Sequence, residues 1–473
     1  MAPASQPRIV PRSEHTISRA HISQNALRVL YKLRDGGYQA FLVGGCVRDL
    51  LIGLEPKDFD VATDAQPEEV KRLFRNCRLV GRRFRLAHVY FGRDIIEVAT
   101  FRAATAPEQG DEPVTEPDDG DLEEGEISET DEPLDMVLAD HASDSERVFD
   151  KTGRIVRDNI YGTIDADVWR RDFTANALYY NIADFSLWDY VNGLDDVAAR
   201  RLRLIGDPET RFREDPVRML RAARFEAKLG FEIDAATAEP IERLKNLLGG
   251  VPPARLFDET LKLFLGGNGE QSLEVLRRRG LLAALLPSVD AYLSAHRGGL
   301  VEKLVIQGLH NTDERSRAEK SVTPTFLFAL LLYGPIAKII EAMPPERWHE
   351  TGAILDACEQ AVRDVQRHVS IPRRFSLGVR EMFVLQPRLE HPRGRRALRV
   401  LEHPRFRAAY DLLLLRAEHG LASREIADWW TKIQDVPPAE REQMIESASG
   451  QGAAGSAPRR GSRNRRRRRR PAA

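Results

Sequence analysis

A glycine pair and an aspartate pair organise this sequence: Leu42-Val43-Gly44-Gly45-Cys46-Val47-Arg48-Asp49, then Pro56-Lys57-Asp58-Phe59-Asp60-Val61-Ala62-Thr63. In a β-strand every second side chain shares a face, so we expect both carboxylates on one face and Phe59 and Val61 on the other. Same-face neighbours lie about 6 to 7 Å apart, which suits two Mg²⁺ ions about 4 Å apart. The pattern predicts a strand that carries a two-metal site for displacement at phosphorus.

Strand and helix patterns continue outward from this segment. Ser23 is suited to cap a helix that carries Leu27, Leu30 and Leu33 and stops at the glycines 36–37. We expect further helices over 47–52, over 67–74 and from Asp165, and strands over 39–43, 79–80, 87–91, 94–101, 176–180 and 203–205. These strands predict one mixed sheet with helices packed against it.

The second half of the chain has a helical pattern. From Asp207 onward apolar residues recur at three- and four-residue spacing, which predicts helices over 219–225, 254–265, 326–332 and 408–415. The fold class is therefore expected to be α+β, with a mixed-sheet domain followed by all-α regions. The expected segments are a disordered leader 1–16, a sheet domain 17–206 with an acidic disordered insertion 104–148, helical regions 207–266 and 267–447, and a disordered arginine-rich tail 448–473.

The bulk composition excludes several classes of protein. The chain has 473 residues, 42% hydrophobic and 30% charged, as in a water-soluble protein of about two to four domains. We find no apolar run of about eighteen residues and no secretory signal pattern, which predicts a cytoplasmic protein with no membrane partner. The cysteines Cys46, Cys77 and Cys358 are expected as small buried side chains, not as a disulfide framework or a zinc site.

The net charge of −1 is small because blocks of opposite charge cancel each other. No Lys or Arg occurs from Ala103 to Glu146, whereas arginines dominate 459–470. The arginine tail predicts binding of polyanions such as RNA, and the alternative is a tail with no required partner. Two further basic stretches, 372–374 and 388–399, suit either a nucleic-acid surface or ordinary solvated helix faces.

Three groups of residues suit a nucleotide site. Gly44-Gly45, between a strand and a helix, lets backbone N–H groups approach phosphates. Glu97 interrupts an apolar strand, where we expect a buried carboxylate that completes a metal site; without the aspartate pair, an exposed Glu on an edge strand would explain it as well. Arg170-Arg171 supplies guanidinium forks for phosphate oxygens, while Asp172 and Asn176 either hold ribose hydroxyls or brace the loop.

Asp215 and Arg218 have two interpretations. Asp215 can simply cap a helix that begins at Pro216. The two side chains, three residues apart, can also offer an acceptor beside a donor to a base edge, which accepts adenine and cytosine but not guanine or uracil. His88 is expected to be a core residue with no role in the site.

The motifs resemble a known series when read in order: Gly44-Gly45-x-x-Arg48-Asp49, Asp58-x-Asp60, Arg170-Arg171-Asp172-Phe173-Thr174 and Glu214-Asp215-x-x-Arg218. This is similar to the series of the bacterial poly(A) polymerase and CCA-adding enzyme family, class II of the nucleotidyltransferase superfamily. The resemblance spans about residues 17–262, and 373–416 resembles the arginine-rich C-terminal region of the poly(A) branch. It implies a polymerase-β-like nucleotidyltransferase head, a helical neck at 207–266, and a helical RNA-holding body and leg at 267–447.

The resemblance also implies roles for individual residues. Asp58 and Asp60 would bind two Mg²⁺ ions, with Mn²⁺ as the alternative metal, and Glu97 would be a third catalytic carboxylate. The implied nucleotide-binding residues are Gly44, Gly45, Arg48, Asp49, Arg170, Arg171, Asp172, Asn176, Asp215, Arg218 and Arg221. The implied partners are ATP, RNA 3′ ends and RNA-decay proteins, and the implied state is a monomer.

Residues 79–89 resemble a stretch typical of poly(A) polymerases, and they therefore favour the poly(A) branch of the family. We therefore expect template-independent addition of AMP from ATP to RNA 3′ ends. The alternatives are a tRNA CCA-adding nucleotidyltransferase and, from another class, a non-catalytic RNA-binding protein built on a polymerase head. Cys46, where some members have a third glycine, and the acidic insertion depart from the family pattern.

Overall fold

The computed structural model describes residues 6–81, 85–103, 147–149, 155–158, 161–392 and 395–451. Nearly all of the expected acidic insertion and the arginine tail lie outside the described residues. The chain divides into two compact units, Met1–Leu244 and Lys245–Ala473. The expected neck, 207–266, straddles this division, so the domain boundaries drawn from the sequence remain predictions.

The first unit contains a mixed sheet. Its strands are β1 (Arg8–Val10), β2 (Ala40–Val43), β3 (Asp60–Thr63), β4 (Cys77–Val80), β5 (Leu86–Phe91), β6 (Asp94–Thr100), β7 (Arg147–Phe149), β8 (Ile155–Asp158), β9 (Leu178–Asn181), β10 (Leu187–Asp189), β11 (Arg201–Leu202) and β12 (Glu232–Ile233). Eight of them form one sheet in the order β1-β10-β9-β2-β3-β6-β5-β4, in which β3 and β6 are parallel and the other neighbours are antiparallel. β11 pairs with β12, and β7 with β8, in separate two-stranded sheets.

The helices of the first unit pack on this sheet or follow it. They are α1 (Gln24–Asp35), α2 (Gly45–Leu51), α3 (Pro67–Leu73), α4 (Ile164–Arg170), α5 (Gly193–Ala198), α6 (Pro208–Glu214), α7 (Val217–Leu229) and α8 (Ala235–Leu244). The Ser23 hydroxyl accepts hydrogen bonds from the first turn of α1, as its sequence predicts. All four residues of β2 are buried, so helices or loops cover both faces of the sheet at its centre.

One buried cluster supports the site end of the sheet. Phe41 and Val43 of β2 and Ala62 of β3 share a face, and Val168 of α4 and Tyr179 of β9 pack in the same cluster. Strand alternation places Asp60 on this face, two residues before Ala62. The C-terminal end of α4 and the start of β3 therefore meet on one side of the sheet.

Two expectations about this sheet are wrong. Residues 203–205 do not join it: β11 ends at Leu202, and Leu204 makes only an isolated bridge to Phe173. The strand expected over 176–180 begins at Leu178, because 174–176 form a 3₁₀ turn. The sheet is completed instead by β1 and β10. Each of these strands has three residues and is too short to show an alternating pattern.

The described elements of the second unit are helices, as its sequence predicts. The α-helices are α9 (Pro253–Phe264), α10 (Gly269–Arg278), α11 (Leu281–Leu285), α12 (Pro287–Ala295), α13 (Leu300–Arg317), α14 (Pro324–Leu331), α15 (Tyr333–Glu341), α16 (Thr351–Gln366), α17 (Arg373–Glu390), α18 (Arg395–Leu401), α19 (Phe406–Glu418), α20 (Arg424–Asp435) and α21 (Pro438–Gln451). The helical regions expected around 254–265, 326–332 and 408–415 are confirmed. The mixed-sheet head followed by helices confirms the α+β class.

The three cysteines are free and buried, which confirms their expected structural role. Among the described residues, no single helix has the length and apolar composition to cross a membrane, and only the bent pair α14 and α15 meets that criterion jointly.

Candidate active site

Asp58 and Asp60 lie where β2 and β3 stop pairing. Asp60 is the first residue of β3 and pairs with Val43, the last residue of β2. The expectation that both aspartates lie on one strand is wrong, because Asp58 precedes β3 in the connecting loop. The ladder ends there since the chain turns away at Gly44 to begin α2. Both aspartate side chains are exposed.

Glu97 lies beside Asp60 on the same face of the sheet. The parallel register of β3 and β6 makes these two residues direct neighbours. The side chain of Glu97 is 50% exposed, so the expected buried carboxylate is wrong, although β6 is an interior strand. The two acids face solvent together, where a cation or a ligand can reach both.

His88 is not the core residue that the sequence suggested. Its Nε2 lies 3.5 Å from Glu97 Oε1, and its side chain keeps 18% exposure. The sequence carried a signal for this contact, because a two-residue turn at Gly92-Arg93 pairs 91 with 94 and therefore 88 with 97. His88 is thus an unforeseen neighbour of the acid group.

The carboxylate of Asp60 is electrostatically crowded. Burial among protein atoms and the negative charges of Glu97 and Asp58 raise the pKa of Asp60 to about 6, although the Arg171 guanidinium acts to lower it. The side chain nevertheless remains accessible to solvent. A cation bound here would relieve this repulsion.

Gly44 forms the opposite wall of the site. Its φ of +81° lies in a region that side-chain-bearing residues rarely adopt. A methyl group at this position would lie 3.8 Å from Arg171 Nη1 and 3.9 Å from both Asp60 Oδ2 and Asn176 O. The glycine therefore lines the space where a guanidinium and a carboxylate meet.

Arg48, Asp49 and Asn176 form a buried network beneath this turn. Arg48 is 1% exposed, and its guanidinium donates to Asp49 Oδ1 at 2.6 and 2.9 Å and to Asn176 Oδ1. A methyl group on Gly45 would lie 3.4 Å from Arg48 Nη2. These contacts favour a bracing role for the three polar residues, under the glycine pair.

Arg171 is held in place by residues that the sequence did not indicate. Its Nε donates to the Tyr179 hydroxyl at 2.7 Å, and its Nη2 to Asp167 Oδ2 at 3.0 Å. Arg211 of α6 donates to the backbone carbonyls of Arg170 and Arg171 at 3.2 and 2.7 Å. Asp167 of α4 lies four residues before Arg171. From this helical spacing the contact between the two side chains could have been predicted.

Asp172 connects this turn to α7. Arg221 donates to Asp172 Oδ2 through Nε at 2.7 Å, and Phe173 N–H donates to Oδ1 at 2.8 Å. Burial acts to raise the pKa of Asp172, but Arg221 and these hydrogen bonds hold it below its ordinary value. Asn176 Nδ2 lies 3.4 Å from Asp172 Oδ1. Of the two expected roles, these contacts favour bracing the loop over holding ribose.

Arg218 and Asp215 lie at the start of α7. Arg218 Nη1 donates to Arg211 O at 2.7 Å and to Glu214 Oε2 at 3.1 Å. Asp215 Oδ1 accepts from Val217 N–H at 3.3 Å, which agrees with the capping interpretation. Glu214 ends α6, and α7 begins at Val217. Whether the pair reads a base stays a prediction.

The donor set fits a divalent cation that shares its coordination with a ligand. In the part of the chain that the structure describes, no three acidic, histidine or cysteine side chains form a complete metal cage. Asp58 and Asp60 offer exposed carboxylates beside Glu97, and Mg²⁺ is commonly held by one or two carboxylates together with substrate phosphates and water. Such incomplete coordination is expected where the nucleotide supplies the remaining oxygens.

Family models match three parts of the chain. The Poly A polymerase head domain matches residues 40–203, the probable RNA and SrmB-binding site of polymerase A matches 230–293, and the polymerase A arginine-rich C-terminus matches 346–471. The head-domain match includes the Gly44, Asp60, Glu97 and Arg171 positions.

Relatives of two kinds are similar to this chain. Poly(A) polymerase I of Salmonella typhi is 46% identical over 444 residues, which are 92% of this chain and 88% of that protein. A CCA-adding enzyme of Bacillus pumilus is 33% identical over 252 residues, 53% of this chain and 52% of that protein. A solved tRNA-processing enzyme shares the fold, with a TM-score of 0.54 at 20% identity over 89% of this chain and 99% of that one. By its similarity along nearly the whole length, this chain belongs to the bacterial poly(A) polymerase I family.

Proposed function

We propose that this chain adds AMP from ATP to RNA 3′ ends without a template, at the site formed by Gly44, Asp58, Asp60, Glu97 and Arg171. The observation that carries this proposal is that Arg171 Nη1 and Asp60 Oδ2 both lie within 4 Å of the place that a Gly44 methyl group would take, with Glu97 adjacent to Asp60 in the sheet. An anionic triphosphate needs a guanidinium, and cations need the acids. Their meeting at a glycine with no side chain leaves space for the phosphates.

The residues of the site would have separate roles in metal binding, triphosphate binding and positioning. Asp58 and Asp60 would hold Mg²⁺, or Mn²⁺ as the alternative, and such ions promote ionisation of an attacking hydroxyl and offset charge on departing pyrophosphate. Arg171, fixed by Asp167 and Tyr179, would direct a guanidinium at the triphosphate. Asp172 and Arg221 would fix the start of the helix that carries Arg218.

Base selection is proposed for Asp215 and Arg218. Arg211 O and Glu214 hold the Arg218 guanidinium at the start of α7, which limits the directions it can take. An acceptor beside a donor suits adenine and cytosine equally. Preference for ATP would therefore need a further contribution from the shape of the site.

The proposed setting follows from the relatives and the composition. We propose RNA 3′ ends and ATP as substrates, RNA-decay proteins as partners, and a monomer that acts in the cytoplasm. The alternative, a CCA-adding enzyme, is supported by a similarity that covers about half of the chain. The similarity to Poly(A) polymerase I of Salmonella typhi covers 92% of it and favours AMP addition.

A primer-extension assay with single nucleotides separates these alternatives. The full chain, an RNA primer and Mg²⁺ are incubated with ATP alone, with CTP alone, or with both. We expect long tails from ATP alone and poor extension from CTP alone. Addition that needs CTP first and stops after three nucleotides would indicate a CCA-adding enzyme, and no addition at all a non-catalytic protein.

A further inference from the structure

A second concave site lies in the helical unit, where α17 ends and α18 follows. It is a pocket of about 490 Å³, and the cationic or titratable residues in its lining are Arg388, His391, Arg396, Arg399 and His403. The three arginines and His391 are exposed, and the described residues that line the pocket include no acidic side chain. Positive charge is therefore gathered in one concavity.

No carboxylate in the described part of the chain forms an ion pair with these guanidiniums. Among the residues that the structure describes, none of Arg388, Arg396 and Arg399 has a carboxylate within ion-pair distance, while many other surface arginines of this unit do. Arg363 pairs with Glu359 at 3.1 Å and Arg424 with Asp428 at 3.2 Å. A group of unpaired arginines is stabilised by an external anion.

The acid nearest to Arg388 in sequence is already engaged. Glu390, two residues after Arg388, has its Oε1 2.5 Å from Arg416 Nη1. Arg416 also donates to Gln386 Oε1 and to the Tyr333 hydroxyl, both at 3.0 Å, so this ion pair is fixed within the helical unit. Glu390 is therefore not available to cancel the charge of Arg388.

The lining indicates what kind of anion fits. Its other residues are aliphatic or proline, among them Leu385, Ala397 and Val400, and the described lining contains no Phe, Tyr or Trp, so that its flat rings are the imidazoles of His391 and His403. Arginine forks bind phosphate oxygens whatever the sequence of the nucleic acid. Three guanidiniums in one concavity suit contacts with the phosphates of a sugar-phosphate backbone.

We propose that this pocket is a phosphodiester-binding site that holds the RNA backbone through Arg388, Arg396 and Arg399. The inference rests on the proposed function, since RNA is the substrate there, and adds a binding site in the helical unit. It also decides between the two interpretations of the basic stretch 388–399, in favour of a nucleic-acid surface.

The test is a salt titration of RNA binding by the full chain. A labelled single-stranded RNA is bound without ATP by the wild type, by R388Q/R396Q/R399Q, and by the charge-matched control R363Q/R367Q/R424Q, whose arginines pair with acids three or four residues away in sequence and lie outside the segment 230–293. Three lost phosphate contacts should lower the slope of log affinity against log salt by about 2, since each contributes about 0.7 for a single strand. We expect that loss in the pocket variant and a much smaller one in the control.

Further arms keep the outcomes distinct. The single variant R399Q should lower the slope by about 0.7, which protects the test if the triple variant unfolds. Equal slopes for the pocket variant and the wild type would overturn the pocket while leaving adenylation intact. Failure of the wild type to bind or extend RNA would overturn the proposed function instead. If pyrophosphate binding, but not RNA binding, weakens in the variant, the site takes free phosphates and the proposal is wrong.

Discussion

The ionised carboxylate of Asp60 lowers the stability of the folded protein, by an amount that depends on pH. Its folded-state pKa of about 6 lies above the ordinary value of 3.8, so the folded chain binds a proton more tightly than the unfolded chain. Stability contributed by this proton is present at low pH and is lost as the pH rises through about 6. The ionised carboxylate thus destabilises the fold until a cation neutralises it.

Replacing this carboxylate should therefore stabilise the protein without metal. We expect Asp60→Asn to raise the free energy of unfolding at pH 8 in chelator by about 1 kcal/mol, an amount discounted for the exposure of the side chain, and to change it little at pH 4. Denaturant unfolding at the two pH values measures the difference. An equal effect at both would show that Asp60 carries no unusual charge repulsion.

Gly44 allows a matched comparison with a second glycine. Both Gly44 (φ +81°) and Gly37 (φ +87°) would be strained as alanine, at about 1 to 2 kcal/mol each. Only at Gly44 would the methyl group meet Arg171, Asp60 and Asn176, whereas nothing lies within 4 Å at Gly37. We expect similar losses of stability, but at least a tenfold loss of AMP incorporation only for Gly44→Ala. Equal activities of the two variants would contradict the site.

At the scale of elements, one ion pair ties α7 to the turn after α4. Removing one partner of a buried pair typically costs about 3 to 5 kcal/mol, because the other charge is left without compensation. We expect Asp172→Asn to lose about 2 to 4 kcal/mol, since Arg221 retains part of its access to water. Glu209→Gln, at an exposed pair with Arg213, should cost much less.

A double-mutant cycle isolates the contact. Asp172→Asn and Arg221→Gln should be markedly non-additive in unfolding free energy, because each removes the same interaction. If the two effects simply add, the pair does not anchor α7, and its link to the nucleotide site would have to be sought elsewhere.

The sequence predicted the elements better than the contacts between them. The helix after Ser23 has a local signal, namely its cap, and it is confirmed, as are the strands expected over 87–91 and 94–101 on either side of Gly92-Arg93. The parallel neighbours Asp60 and Glu97 come from strands 37 residues apart, and no local pattern sets that register. The loop position of Asp58 likewise depends on where β2 ends, which a period of two cannot show.

Some site residues escaped prediction for a physical reason. Tyr179 looked like one more apolar position of a strand, yet its hydroxyl donates to Asp167 and accepts from Arg171. Arg211 acts through backbone carbonyls, which carry no side-chain signature. The motifs proposed to bind the nucleotide could be singled out from the sequence because their residue types are chemically distinctive.

At the scale of the whole chain, the opposed charge blocks predict a competition. The acidic segment before residue 147 and the arginines of 459–470 have opposite signs, so the acids should compete with RNA for the basic residues. Replacing 109–135 by an uncharged segment of equal length should tighten RNA binding at low salt, and the difference should vanish at high salt. Unchanged affinity at low salt would exclude this competition.

The central claim is that AMP transfer takes place at Asp58 and Asp60, the second of which lies beside Gly44. Primer extension with ATP and Mg²⁺ by the Asp58→Asn/Asp60→Asn variant tests it most directly, with circular dichroism to confirm that the variant is folded. The account predicts no detectable tail from a folded variant, while the wild type makes long tails. A folded variant that still extends the primer at the wild-type rate would show that the chemistry takes place elsewhere.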